Sequence, residues 1–213
     1  MSTTTRASAL RMADVPRLTP FAMRSASTRS EERPATLDGY AAVFGRETII
    51  DSWEGRFREQ IAAGAMIASF RAGPPIVQFD HGRHPLVGSI PIASVDSIRE
   101  ETDSELAPAG GAHIVATLHD NWLVQPVRDA IASGSISGMS FRFTVIRDQW
   151  HDKAGKAITD PARLREILDD TWLLDLPDDQ LPLRTLQQVD VSEVGPVVWP
   201  AYTDTSVTVR GHQ

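Results

Sequence analysis

Gly138-Met-Ser-Phe-Arg-Phe-Thr-Val-Ile146 is the stretch whose reading decides the fold of this chain. Alternation along an extended backbone sends Met139, Phe141, Phe143 and Val145 to one face, and Ser140, Arg142 and Thr144 to the other. The first face demands a core. The second holds a hydroxyl and a guanidinium on a stiff strand, facing away from the main apolar side. Just upstream, Leu123, Val127, Ala130 and Ile131 follow helical spacing within residues 121–132, and Gly134 is placed as a C-terminal stop. A helix therefore delivers the chain into the Ser140 strand.

Further out, Val, Ile, Thr and aromatic residues predict strands at residues 37–44, 76–80, 86–95, 113–119, 189–198 and 206–209. Phe57 and Ile61 lie four apart between Ser52 and Gly64, which predicts a short helix over residues 53–63. Asp160-Pro161 is a capping residue followed by a first-turn proline, and predicts a last helix with Leu164, Ile167 and Leu168 turned inward. The acidic, proline-bearing residues 169–182 read as an inserted loop. Residues 1–34 are rich in Ser, Thr and Arg; they resemble a transit peptide in composition, but a disordered arm is the plainer reading. The helices are too few for a doubly wound parallel sheet, so the expected class is α+β: a mostly antiparallel barrel or sheet flanked by helices.

Composition narrows the function. The chain has 213 residues, enough for one domain at 35–213 beyond the arm. Its 21 basic and 28 acidic residues give a formal charge of −7, which disfavours a nucleic-acid partner. With no cysteine, a disulfide, a Cys-rich zinc site and a thiol nucleophile are all excluded. No stretch approaches the roughly 20 apolar residues that span a bilayer.

Among six histidines, His81 is the best candidate base, because it ends an apolar strand and is followed by Gly82, which leaves room for a substrate backbone. His84 is its rival. Asp80, His81 and His84 also form a possible metal cluster, although zinc usually takes three or four protein ligands and no second cluster of matching spacing follows. Ser140 is a candidate nucleophile, but its Gly-x-Ser lacks the second glycine and the strand-to-helix turn of a nucleophile elbow. Glu193, in Val189-Asp-Val-Ser-Glu-Val-Gly-Pro196, shares strand parity with Val189 and Val191. A carboxylate turned to that apolar side requires a partner, either an imidazole N–H or an arginine.

In their order and spacing, five segments resemble the tailed-phage prohead serine protease family over residues 37–209. They are Gly39-Tyr-Ala-Ala-Val-Phe44; Phe57-Arg-Glu-Gln-Ile61 with Gly64-Ala65; the histidine turn from His81 to Gly88; Gly134-Ser-Ile-Ser-Gly-Met-Ser-Phe-Arg-Phe143; and Glu193-Val-Gly-Pro-Val-Val-Trp-Pro-Ala-Tyr202. The resemblance implies a β-barrel wrapped by helices, like that of the herpesvirus assembly proteases. It also implies a role in capsid maturation. Working inside the prohead in the bacterial host cytoplasm, such enzymes remove the scaffolding segment of the major capsid protein and then digest themselves. By position, His81 matches the family's base, Ser140 its nucleophile and Glu193 an acidic position of the closing motif. The family often has glycine two residues past the nucleophile, where this chain has Arg142. Two roles are open to that guanidinium: support of the oxyanion, or a salt bridge to an acid such as Asp148. The implied mechanism uses no cofactor. Two other classes stay open: a non-catalytic capsid-assembly scaffold of the same fold, and a metal-dependent hydrolase using His81 and His84.

Overall fold

A computed structural model describes residues 17–20 and 35–198 of the chain. In chain order the elements are β1 (Arg17–Pro20), β2 (Thr36–Val43), β3 (Thr48–Ser52), β4 (Gly55–Ile61), α1 (Ile67–Ala72) and β5 (Ile76–Val77), followed by a 3-10 turn (Asp80–Gly82). Then come β6 (Ala93–Asp103), β7 (Ala107–Leu118), α2 (Gln125–Ala132), β8 (Gly138–His151), β9 (Ala157–Ile158), α3 (Pro161–Leu173), a second 3-10 turn (Asp178–Gln180) and β10 (Leu183–Val197). The strand expected at residues 206–209 lies outside the described residues.

The long antiparallel pair β8–β10 is the spine of the molecule. Along its other edge β10 accepts β4 in parallel at Leu183–Leu186 and β5 in parallel at Glu193 and Val194. Between those two, α1 fills the gap: the Val189 amide donates to the Ala65 carbonyl and the Val191 amide to Ser69 Oγ, both at 2.9 Å. From β5 the hydrogen-bonded path runs through β6 and β7 to β2, and from β8 it ends at β1. The architecture is thus mainly β with three helices, an α+β fold. The expected barrel is not closed. The end strands β1 and β2 lie alongside each other, but no ladder joins them among the described residues. β1 supplies only four residues and ends at Pro20, which has no amide to donate.

One core dominates, built from Leu37, Phe44, Ile92, Ile114, Leu118, Met139 and Phe141 with Val127 and Ile131 of α2. A second contains Ile50, Phe57 and Trp150, against which Leu164 and Leu168 of α3 pack. The helix predicted over 53–63 is instead the hairpin strand β4. Spacing by four fits both periods, and here Gly55, Phe57, Glu59 and Ile61 alternate inward with period two. The inward Glu59 is the residue that helical reading could not accommodate. It meets Arg184 at 3.6 Å, and that guanidinium also bonds Asp148 at 2.6 Å and sits 5.2 Å from the Trp150 ring centre. Asp148 therefore belongs to Arg184 and not to Arg142.

The strand expected at 86–95 begins only at Ala93; residues before it form the turn after the histidines, with Leu86 and Ile90 exposed. At α2 the Asn121 side chain accepts from the Leu123 and Val124 amides, and Gly134 takes φ +75° beyond the helix end. At α3 the Asp160 carboxylate accepts the Ala162 amide at 3.0 Å, and the helix continues to Leu173, so residues 169–173 of the loop expected at 169–182 are helical, with Thr171 buried against β4. Among the described residues no helix is long and apolar enough to cross a membrane.

Candidate active site

Ser140 sits near the start of β8, directly opposite Gly195 of β10. Side chains opposite one another in an antiparallel pair project to the same face. Val191 pairs with Phe143, on the apolar face, but the next pair is Glu193 with Arg142. One extra residue, Ser192, has been inserted as a β-bulge. It shifts the parity of everything after it. Glu193, which simple alternation places with Val189 and Val191, is thereby moved to the face that carries Ser140 and Arg142.

Gly195 brings in the third strand. A Cβ at this position would overlap the Gln78 carbonyl, so only glycine lets the chain leaving β5 pass this close to β10. The Gln78 amide then donates to the Val194 carbonyl at 3.0 Å. Two and three residues on, Asp80 (φ +48°) and His81 (φ +54°) both take left-handed backbone, followed by Gly82 at +71°. For residues with a Cβ this costs about 1–3 kcal/mol each, so surrounding contacts must hold the turn. Those contacts are the Gly82 amide on the Phe79 carbonyl at 2.9 Å and Arg142 Nη2 on the His81 carbonyl at 2.9 Å.

The result is a continuous relay. His81 Nδ1 lies 2.6 Å from Glu193 Oε2, and His81 Nε2 lies 2.9 Å from Ser140 Oγ. A carboxylate only accepts, which assigns the ring proton to Nδ1 and leaves Nε2 to accept the serine hydroxyl. Such a pair can deprotonate a nucleophile as it attacks, because donor and acceptor are already within transfer distance. All three groups are buried: Ser140 is 0% exposed, His81 and Glu193 4% each. The second oxygen, Glu193 Oε1, has no hydrogen-bond partner among the described residues, and Arg142 Nε lies 3.8 Å from Oε2. The guanidinium therefore offsets a carboxylate that burial disfavours.

Of the residues singled out by sequence, His81, Ser140, Arg142 and Glu193 thus meet in one place. His84 does not join them. Its Nδ1 accepts from the Leu86 and Val87 amides and its ring packs 5.4 Å from that of Phe79. Both nitrogens of His81 are engaged by Glu193 and Ser140, and no group of three or more His, Asp or Glu able to hold a metal occurs among the described residues. Sequence reading missed Ser192 and Gly195; the Glu-Val-Gly-Pro run after a regular strand signals the glycine but not the bulge. An apolar cleft of about 400 Å³ is lined by Phe79, His84, Val87, Trp122, Val127 and Ile136. Its walls come from the residues flanking the His81 turn and from the α2 segment that leads into the Ser140 strand.

A family model described as caudovirus prohead serine protease matches residues 22–213. Searches of curated proteins and of solved structures return no significant match.

Proposed function

Because the chain belongs to the caudovirus prohead serine protease family, and is thus a serine endopeptidase of the phage prohead, we propose that His81, Ser140 and Glu193 are its catalytic residues. The observation that carries the assignment is the buried relay Glu193–His81–Ser140, at 2.6 and 2.9 Å. His81 takes the hydroxyl proton as Ser140 Oγ attacks a peptide carbonyl, then gives it to the departing amine; water releases the acyl-enzyme by the same route in reverse. Glu193 holds the ring in the useful tautomer and stabilises the imidazolium. Backbone amides near Ser140 receive the oxyanion. Arg142 is a positioning residue: its bond to the His81 carbonyl fixes the strained turn. No cofactor enters these steps.

The substrate is the capsid protein of the prohead, and within it the scaffolding segment of the major capsid protein. The apolar cleft receives a hydrophobic side chain close to the scissile bond. The protease also cuts itself between about Arg24 and Leu37, so that residues 1–34 form a pro-segment and residues 35–213 the protease domain, with residues 169–182 an acidic insertion. A relation to the herpesvirus assembly proteases is supported by the strand-rich sheet, its flanking helices and the approach of β1 to β2.

Co-expression with the capsid protein tests this reading. Ser140→Ala is expected to abolish processing while shells still assemble, since loss of a triad nucleophile costs on the order of a millionfold in turnover. Sequencing the new capsid N-terminus should find an apolar residue beside the cut, and mass spectrometry should find the protease shortened only when Ser140 is present. Unchanged capsid processing by Ser140→Ala protein would reject the nucleophile.

A further inference from the structure

The strand that presents Ser140 has two edges. One is paired with β10 from Leu183 to Val197. On the other, at Gly138–Phe141, lies β1: Arg17 opposite Phe141, Leu18 opposite Ser140, Thr19 opposite Met139 and Pro20 opposite Gly138. A short piece of extended backbone, from far away in sequence, is thus laid antiparallel along β8 and centred on Ser140. This is the geometry by which a peptide adds a strand to a sheet edge, with main-chain bonds giving affinity whatever the sequence.

Ser140 has no exposed surface, and His81 almost none. A substrate carbonyl must come within about 3–3.5 Å of the hydroxyl. Something next to Ser140 has to move. The β8–β10 ladder cannot, because it carries Glu193 and anchors the turn of His81. β1 can: it is four residues long and, among the described residues, its ladder is with β8 alone. We propose that Arg17–Pro20 occupies the edge of β8 on which a substrate strand docks, so that the N-terminal segment is a displaceable competitive inhibitor of its own site. This rests on Ser140 being the nucleophile. It identifies the substrate as an extended peptide running antiparallel to β8, and makes a cut between about Arg24 and Leu37 the event that severs the inhibitor from the domain.

The test uses the full chain carrying Leu18→Pro or, separately, Thr19→Pro. Successive amides of a strand point to opposite sides, so one of the two prolines removes a bond to β8. Two readouts are taken: the rate at which a fluorophosphonate probe modifies Ser140, and the anisotropy of a fluorescent peptide with the sequence of residues 11–24. If β1 occupies the edge nine-tenths of the time, its release speeds labelling about tenfold, because the competent fraction rises by that factor. Added peptide should bind that variant and slow its labelling again in a saturable way. Both variants labelling at the parental rate without taking up peptide would overturn the proposal. So would loss of labelling together with loss of cooperative unfolding, the outcome expected if β1 merely staples the sheet. Peptide binding is also read on Ser140→Ala/Leu18→Pro and Ser140→Ala/Thr19→Pro proteins, where docking needs no chemistry. Binding there, with no labelling in any form that keeps Ser140, would sink the nucleophile and leave the docking edge standing.

Discussion

At His81 the backbone adopts φ +54°, a conformation that a side-chain-bearing residue takes only when its surroundings insist. What insists is Arg142 from one strand and Glu193 from another, so the ring is held by both its main chain and its Nδ1. Turning the carboxylate into an amide keeps the shape but lets the amide nitrogen face Nδ1, which favours the wrong tautomer. Glu193→Gln is therefore expected to lower kcat/KM by about 10⁴-fold, the size of effect seen when the orienting acid of a triad becomes an amide. Kinetics on a cleavable capsid-derived peptide check this, with circular dichroism confirming the fold; a loss below tenfold would remove Glu193 from the relay. Ser140 and His81 are legible in sequence because each stands at a position that local patterning makes unusual: a hydroxyl opposite an apolar face, and an imidazole at a strand end before glycine. Glu193 is legible as a buried acid in search of a partner, yet alternation puts it on the wrong face. Periodicity assumes an unbroken strand, and the bulge at Ser192 has no composition of its own to announce it.

Elements, like residues, are legible where one period alone fits. β8 and α3 carry patterns that only a strand or only a capped helix satisfies. β4 does not, because Phe57 and Ile61 agree with both periods, and the choice is made by Arg184 arriving from β10 to pair with the inward Glu59. No local window contains both partners. The same holds for the crossing of the β5 exit over β10, which depends on the missing side chain of Gly195. Gly195→Ala forces the Gln78 backbone away, an overpacking expected to cost about 1–3 kcal/mol. Because Gln78 leads directly to His81, the displacement also separates imidazole from hydroxyl. A shift near 1 Å is enough for a loss on the order of a hundredfold. Urea unfolding should show a lower midpoint, and fluorophosphonate labelling of the still-folded protein should slow by that factor. Labelling at the parental rate would mean that the crossing does not position the histidine.

Across the whole molecule, periodicity yields the class but not the closure. Alternation marks a strand without naming its neighbours, so a barrel and an open sheet look alike until the partners of β1 and β2 are known. The face made by β2, β7 and β6 carries a cluster remote in sequence from the relay that ties three strands together electrostatically. His113 Nε2 meets Asp38 at 2.8 Å, its Nδ1 lies 3.3 Å from Glu101, and the Tyr40 ring packs 5.1 Å away. The hydrogen bond to Asp38 raises the His113 pKa above its ordinary 6.5, with burial opposing, the charges of Asp38 and Glu101 adding and that of Arg99 subtracting. A histidine with a raised folded-state pKa binds its proton more tightly folded than unfolded. Its contribution to stability is therefore complete below the unfolded value and lost as pH climbs through the folded one. Parent and His113→Asn proteins should differ most in urea stability below pH 6.5, and the gap should narrow steadily above it. Taking the difference cancels the remaining histidines. A gap that stays constant with pH, or widens as it rises, would show that His113 supports the sheet by packing alone and not as the charged partner of Asp38.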